Sequence, residues 1–128
     1  MDTRLKNSRQ KILDFFEYGI KLSKECQELI AMQNSSLPVE LYTTSCCEIE
    51  RQNKLKELGE HIKKVDLFIS KAKLTTLMRE VMIMRYVQFL TYEKISKILF
   101  FSIRWVHHTK NKAIDLMVES DYFPDLSA

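Results

Sequence analysis

TYEKISKILFFSIRWVHHTKNKAIDLM, residues 91–117, holds two helical stretches and one break. Thr91 and Ser102 each place a side-chain oxygen ahead of an apolar periodic run, the signature of a helix N-cap. Between them Ile95, Ile98 and Leu99 recur at helical spacing, and Phe100-Phe101 turns the chain. After Ser102, Val106, Thr109/Lys110, Ala113 and Met117 trace one face of a longer helix, and Ala113 is small enough for close helix contact. The spacing predicts a short helix from Thr91 through Leu99 and a second from Ser102 to Val118.

A short capped helix followed by a longer, more basic one is the outline of a helix-turn-helix. Arg104, His107, His108, Asn111 and Lys112 fall on the remaining faces of the second helix, and their donors suit base edges and phosphates. Arg104 sits in the first turn, the part of a recognition helix that enters the major groove. It reads as a base contact, with a phosphate clamp or a surface ion pair as the competing assignments. Trp105 reads as packing first, with a thymine methyl, a sugar or a protein partner as alternatives. Lys94, Lys97, Lys110 and Lys112 are candidate phosphate contacts, and Thr91 completes the candidate DNA-binding set.

His107 and His108 invite a metal assignment that their geometry refuses. Neighbours on a helix point about 100° apart and cannot readily chelate one ion. The cysteines, Cys26, Cys46 and Cys47, are odd in number and lack a C-x-x-C spacing, so they read as free thiols of a reducing compartment. No Gly-rich phosphate loop, no nucleophile with a base partner and no suggestive carboxylate pair is present, so the sequence points away from an enzyme and implies no cofactor or metal.

The chain upstream is built from longer helices. Its 128 residues hold only two Gly and two Pro, a composition that favours long unbroken helices over β-structure, and the expected class is all-α. From Thr3 to Gln33, Leu5, Ile12, Phe15, Leu22, Cys26 and Leu29 follow a heptad pattern widened by Phe16, Ile20 and Ile30, with Gly19 interrupting it. Asn34-Ser35-Ser36-Leu37-Pro38 marks a loop reaching to about Thr44. Ser45-Cys46-Cys47-Glu48 has the form of a capping box, with Thr44 as an alternative cap. Leu55, Leu58, Ile62, Val65, Ile69 and Ala72 then give a regular seam, while His61 and Asp66 read as solvated. Two long helices and a short loop predict an antiparallel hairpin, or a coiled coil with a second copy. Thr75 or Thr76 caps a further helix to about Val87, with Leu77, Val81, Met84 and Val87 inward. Met78, Met82, Met84 and Met117 read as core filler, and Tyr86, Tyr92, Phe100 and Phe101 as the small core of the C-terminal module. The expected division is 1–73 for oligomerisation or partner binding, 74–118 for the helix-turn-helix module, and a tail at 119–128.

Charge is uneven. Residues 91–118 carry five basic side chains (Lys94, Lys97, Arg104, Lys110, Lys112) against two acidic (Glu93, Asp115), the densest positive stretch in a chain of net charge +3. That favours a polyanionic partner. No apolar run reaches the length of a membrane span and the N-terminus reads as polar, so a soluble, cytoplasmic protein is expected.

Residues 85–117, RYVQFLTYEKISKILFFSIRWVHHTKNKAIDLM, resemble the C-terminal, minus-35-reading region 4 of bacterial sigma factors. The shared frame is the Arg85-Tyr86 pair, Thr91, Glu93, Ile95, Leu99, Ser102, Val106 and Ala113. Within that superfamily the chain looks most like the small phage-encoded regulators of the ArpU/RinA type, with which it shares the lead-in Arg79-Glu80-Val81-Met82-Ile83-Met84-Arg85-Tyr86. The likeness covers about residues 77–117; upstream only the helical layout matches. The resemblance implies transcription activation in a bacterial host cell and DNA contacts by position at Arg104, His107, His108 and Lys112. Double-stranded DNA is the expected partner, and the N-terminal helices are expected to supply either dimerisation or a surface for RNA polymerase. A single module of this size binds weakly alone, which favours a homo-oligomer spanning half-sites about 34–36 Å apart. The last helix is more aromatic and less cationic than is usual in that family, so a polymerase-binding protein that does not read DNA is the competing expectation.

Overall fold

Helices α1 (Thr3–Gln33) and α2 (Thr44–Lys71) form over the two long apolar-periodic stretches. They are followed by α3 (Thr76–Tyr86), α4 (Tyr92–Leu99) and α5 (Ile103–Val118). The computed structural model describes residues 3–33 and 44–119, with side chains given for 7–29 and 49–119. Among these every regular element is a helix, so the protein is all-α. The expected loop around Pro38 and the tail from Ser120 lie outside the described residues, as do the side chains of Leu5, Ile30, Thr44, Ser45, Cys46, Cys47 and Glu48, on which the expected capping box rests.

α1 and α2 run antiparallel. Phe16 stacks on Phe68, Phe15 meets the His61 ring, Tyr18 donates to Glu57, and Lys54 donates to Glu25 at 2.8 Å, so rising numbers on α1 meet falling numbers on α2. Burial is not even along this hairpin. Val65, Phe68, Ile69 and Ala72 are buried on α2 and its C-terminal end, whereas Leu55 is exposed and Leu58 and Ile62 are half-buried. The regular seam expected from Leu55 to Ala72 therefore holds only in its second half. The reason is geometric: among the described residues, α3 and α5 pack against that end of the hairpin.

The result is one shared core. Ile12, Phe15 and Phe16 of α1, Val65, Phe68 and Ile69 of α2, Met82 and Tyr86 of α3, and Ala113, Ile114 and Met117 of α5 form one buried cluster. Phe16 lies at its centre, with ring centroids 5.8 Å from Phe68 and 4.5 Å from Tyr86, both near-parallel. Whether the hairpin packs on the C-terminal helices or swings free is open in the sequence; in the structure it packs on them. A smaller cluster draws Val81, Ile95 and Val106 from α3, α4 and α5, bordered by Met84, Leu90, Tyr92, Leu99 and Trp105.

The three short helices begin where their caps predict. Thr75, Thr91 and Ser102 have extended backbones, and their side chains accept from the amides of Met78, Lys94 and Trp105 at 3.3, 3.2 and 3.1 Å. Both interhelix turns contain a phenylalanine in the left-handed region, Phe89 at φ 57° and Phe100 at φ 60°.

Several expectations are corrected. His61, read as solvated, is buried, because Gly19 on the facing helix leaves room for its ring. Leu77 and Ile98, read as inward, are exposed. Phe100 and Phe101, read as module core, are surface residues, and Phe100 is 92% exposed. The cause is the turn itself. Phe100 closes α4 in a left-handed conformation, with its amide bonded back to Ser96, and this swings its side chain away from the small Val81–Ile95–Val106 core. No helix among the described residues is long and apolar enough to cross a membrane.

Candidate nucleic-acid interface

α5 presents two unlike faces. Val106, Thr109, Ala113, Ile114 and Met117 are buried. Arg104, His108, Asn111 and Asp115 follow at helical intervals on the opposite side, and all four are exposed. His107 and Lys112, also exposed, flank this stripe. The stripe is held rigidly because the buried face is locked into both apolar clusters. The Ser102 cap fixes where the helix starts, and hence where Arg104 stands. Among the described residues Arg104, His108 and Lys112 have no ion-pair partner.

On one flank a second group converges on Tyr92, the first residue of α4. The His107 ring stacks on Tyr92 with centroids 3.9 Å apart. The Arg85 guanidinium carbon lies 4.4 Å from the same ring centre, and Lys110 Nζ lies 5.8 Å from it. Arg85 also donates to the Leu90 carbonyl at 3.1 Å, while its Nε is buried with no hydrogen-bond partner among the described residues. Burial, then the nearby Lys110 and Arg85 charges, hold the His107 pKa below its ordinary value. A cation is therefore disfavoured there until an anion arrives, so an approaching phosphate would pull the His107 pKa upward.

The remaining candidates are dispersed. Thr91 uses its hydroxyl as the α4 cap. Lys94 and Lys97 are exposed on α4, and no contact among the described residues ties them to the Arg104–His108 stripe. Trp105 is half-buried under a parallel stack with Phe101, at 3.8 Å between ring centres. Asn111 accepts from Arg9 of α1 at 3.4 Å, and Arg9 also pairs with Asp115. Tyr92, expected in the small core of the module, does pack against its edge, and its ring is also the platform that gathers Arg85, His107 and Lys110, a role the sequence does not reveal. Sequence reasoning passed over Arg9 altogether, and no periodicity links residues 106 apart.

Among the described residues no group of His, Cys, Asp and Glu is close enough to hold a metal ion, and Cys26 is a buried free thiol. Comparison with protein-family models, curated proteins and solved structures finds no match.

Proposed function

We propose that the protein is a sequence-reading, DNA-binding transcriptional regulator, in which α4, the Phe100–Ser102 turn and α5 act as a helix-turn-helix of the sigma region 4 kind. The observation that carries this reading is the outer face of α5. Arg104, His108 and Asn111 project from a helix whose other face is locked in the core, beside two cations, Arg85 and Lys110, and the His107 ring gathered on Tyr92. Arg104 is the base reader, with its guanidinium fork free to take a guanine edge. His107, Lys110 and Arg85 meet phosphate, as do Lys94, Lys97 and Lys112. The α1–α2 hairpin stiffens the module from behind, since both share its core. The resemblance to ArpU/RinA-type proteins makes a phage-type activator the preferred role and a homo-oligomer the preferred form.

A titration of labelled duplex DNA at several salt concentrations tests this. The reading expects log K to fall with log salt by about 0.9 per phosphate contact. Affinity independent of salt would reject it.

One observation favours a second reading. Ile98, Phe100, Phe101 and Ile103 are exposed together around the turn. A protein partner such as RNA polymerase could cover them, and the module would then act through protein contact without reading DNA.

A further inference from the structure

Asp115 is the one acidic residue of α5, and it stands on the wrong face for a helix that meets DNA. It shares the stripe of Arg104, His108 and Asn111, and its side chain is 57% exposed. An uncompensated carboxylate there would repel every phosphate that approached the C-terminal half of the helix. The fold supplies the compensation from the far end of the chain. Arg9, on the second turn of α1, donates through Nη1 to Asp115 Oδ1 and through Nη2 to Asn111 Oδ1. The hairpin thus adds a permanent cation to the face of α5.

We propose that Arg9 is part of the DNA-binding surface: it neutralises Asp115, so that the phosphodiester backbone can lie along the whole exposed stripe of α5. This rests on the DNA-binding reading above and extends the interface to a helix outside the helix-turn-helix. Arginine suits the task because its guanidinium keeps its charge at every physiological pH and its fork reaches two acceptors at once. Arg9 is a positioning residue here, acting through Asp115. The Arg9–Asp115 pair is partly solvated, so it adds little to folding. Its removal is therefore read in ligand affinity and not in stability.

The test is a salt series of binding to a labelled mixed-sequence DNA duplex, with the full chain as wild type, Arg9→Gln, Asp115→Asn and the double variant. Arg9→Gln is expected to bind roughly fivefold more weakly at about 0.15 M salt, with a slope shallower by about 0.9, the loss of one effective charge. Asp115→Asn is expected to bind tighter by a similar factor, because it frees Arg9 to meet phosphate. The double variant restores the wild-type net charge and is expected to return close to wild-type affinity and slope. Arg9→Lys keeps the charge and is expected to retain the slope, which secures the test if Arg9→Gln folds poorly. A wild-type affinity and slope in Arg9→Gln would overturn the proposal, as would a double variant as weak as Arg9→Gln. A wild-type protein with no salt-dependent DNA binding would overturn the DNA-binding reading together with it, a result distinct from DNA binding that ignores Arg9.

Discussion

Gly19 and His61 occupy one space from opposite helices. A Cβ built on Gly19 would lie 2.7 Å from His61 Cδ2 and 2.9 Å from Nε2, closer than real side chains approach. The absent side chain of Gly19 is what lets an imidazole sit between α1 and α2, flanked by Phe15 at 4.8 Å and Tyr18 at 5.2 Å between ring centres.

The first prediction is a pair of identical substitutions with opposite signs. Gly19→Ala forces His61 out of its slot and is expected to destabilise the protein by about 1–3 kcal/mol, the range for overpacking. Gly59→Ala meets nothing within 4 Å on an exposed stretch of α2, and is expected to stabilise by up to about 1 kcal/mol through helix propensity. Urea midpoints of the two variants check both signs at once.

His61 makes the hairpin sensitive to acid. Burial holds its pKa below the ordinary value, Lys64 adds to the effect, and the Phe15 carbonyl and Glu57 partly oppose it. Its Nε2 is buried with no hydrogen-bond partner among the described residues. The unfolded chain therefore takes up a proton first, near pH ~6.5. The stability tied to neutral His61 is present above that value and is lost as pH falls through the lower folded-state pKa. Thermal midpoints should decline below about pH 6.5 in the wild type. The decline should be shallower in His61→Gln.

Phe16 joins α1, α2 and α3 through its stacks on Phe68 and Tyr86. Truncation to alanine is expected to cost about 3–5 kcal/mol. Because the core is shared, the loss should reach the far module. Trp105, the single tryptophan, reports on α4 and α5. Its fluorescence and the far-ultraviolet circular dichroism should shift to the same lower urea midpoint in Phe16→Ala. A fluorescence transition that stays in place while the dichroism moves would mean that the hairpin unfolds alone.

Phe89 and Phe100 share a left-handed backbone and differ in what holds it. The Phe89 ring reaches α1, with Cε1 3.6 Å from the Cβ position of Gly19, whereas Phe100 is 92% exposed. Glycine at Phe100 relieves the backbone and removes little packing, so Phe100→Gly should raise stability by up to about 1 kcal/mol. Glycine at Phe89 removes a packed ring and should lower stability by about 1–3 kcal/mol. Chemical denaturation of both variants decides it. A protein partner seated on the turn would make the stabilised Phe100→Gly protein lose that partner.

Element boundaries were legible because they rest on local chemistry. Thr91 and Ser102 cap helices through their own hydroxyls, and no distant residue alters that. The inward faces of α1 and α5 were legible for the same reason, since Ile12, Phe15, Val106 and Ala113 repeat at helical spacing. Phe100 was misread for a local reason, its left-handed turn, whereas Leu55 and His61 were misread for non-local ones. Leu55 and Val65 look alike in the sequence, but only Val65 lies where α3 and α5 converge on the hairpin. His61 looks like surface until Gly19 is known to face it. The candidate site divides the same way. The exposure of Arg104 and His108 follows from the period of α5, while the arrangement of Arg85 and Lys110 over Tyr92, and of Arg9 against Asp115, depends on tertiary packing.

The most direct measurement is selection of duplexes from a random-sequence DNA pool by the purified protein, with Arg104→Ala/His108→Ala in parallel. The account predicts a defined motif from the wild type, lost in the double variant while weak, salt-dependent binding persists. No motif from the folded wild type, or the same motif from the double variant, would contradict the claim that α5 reads DNA.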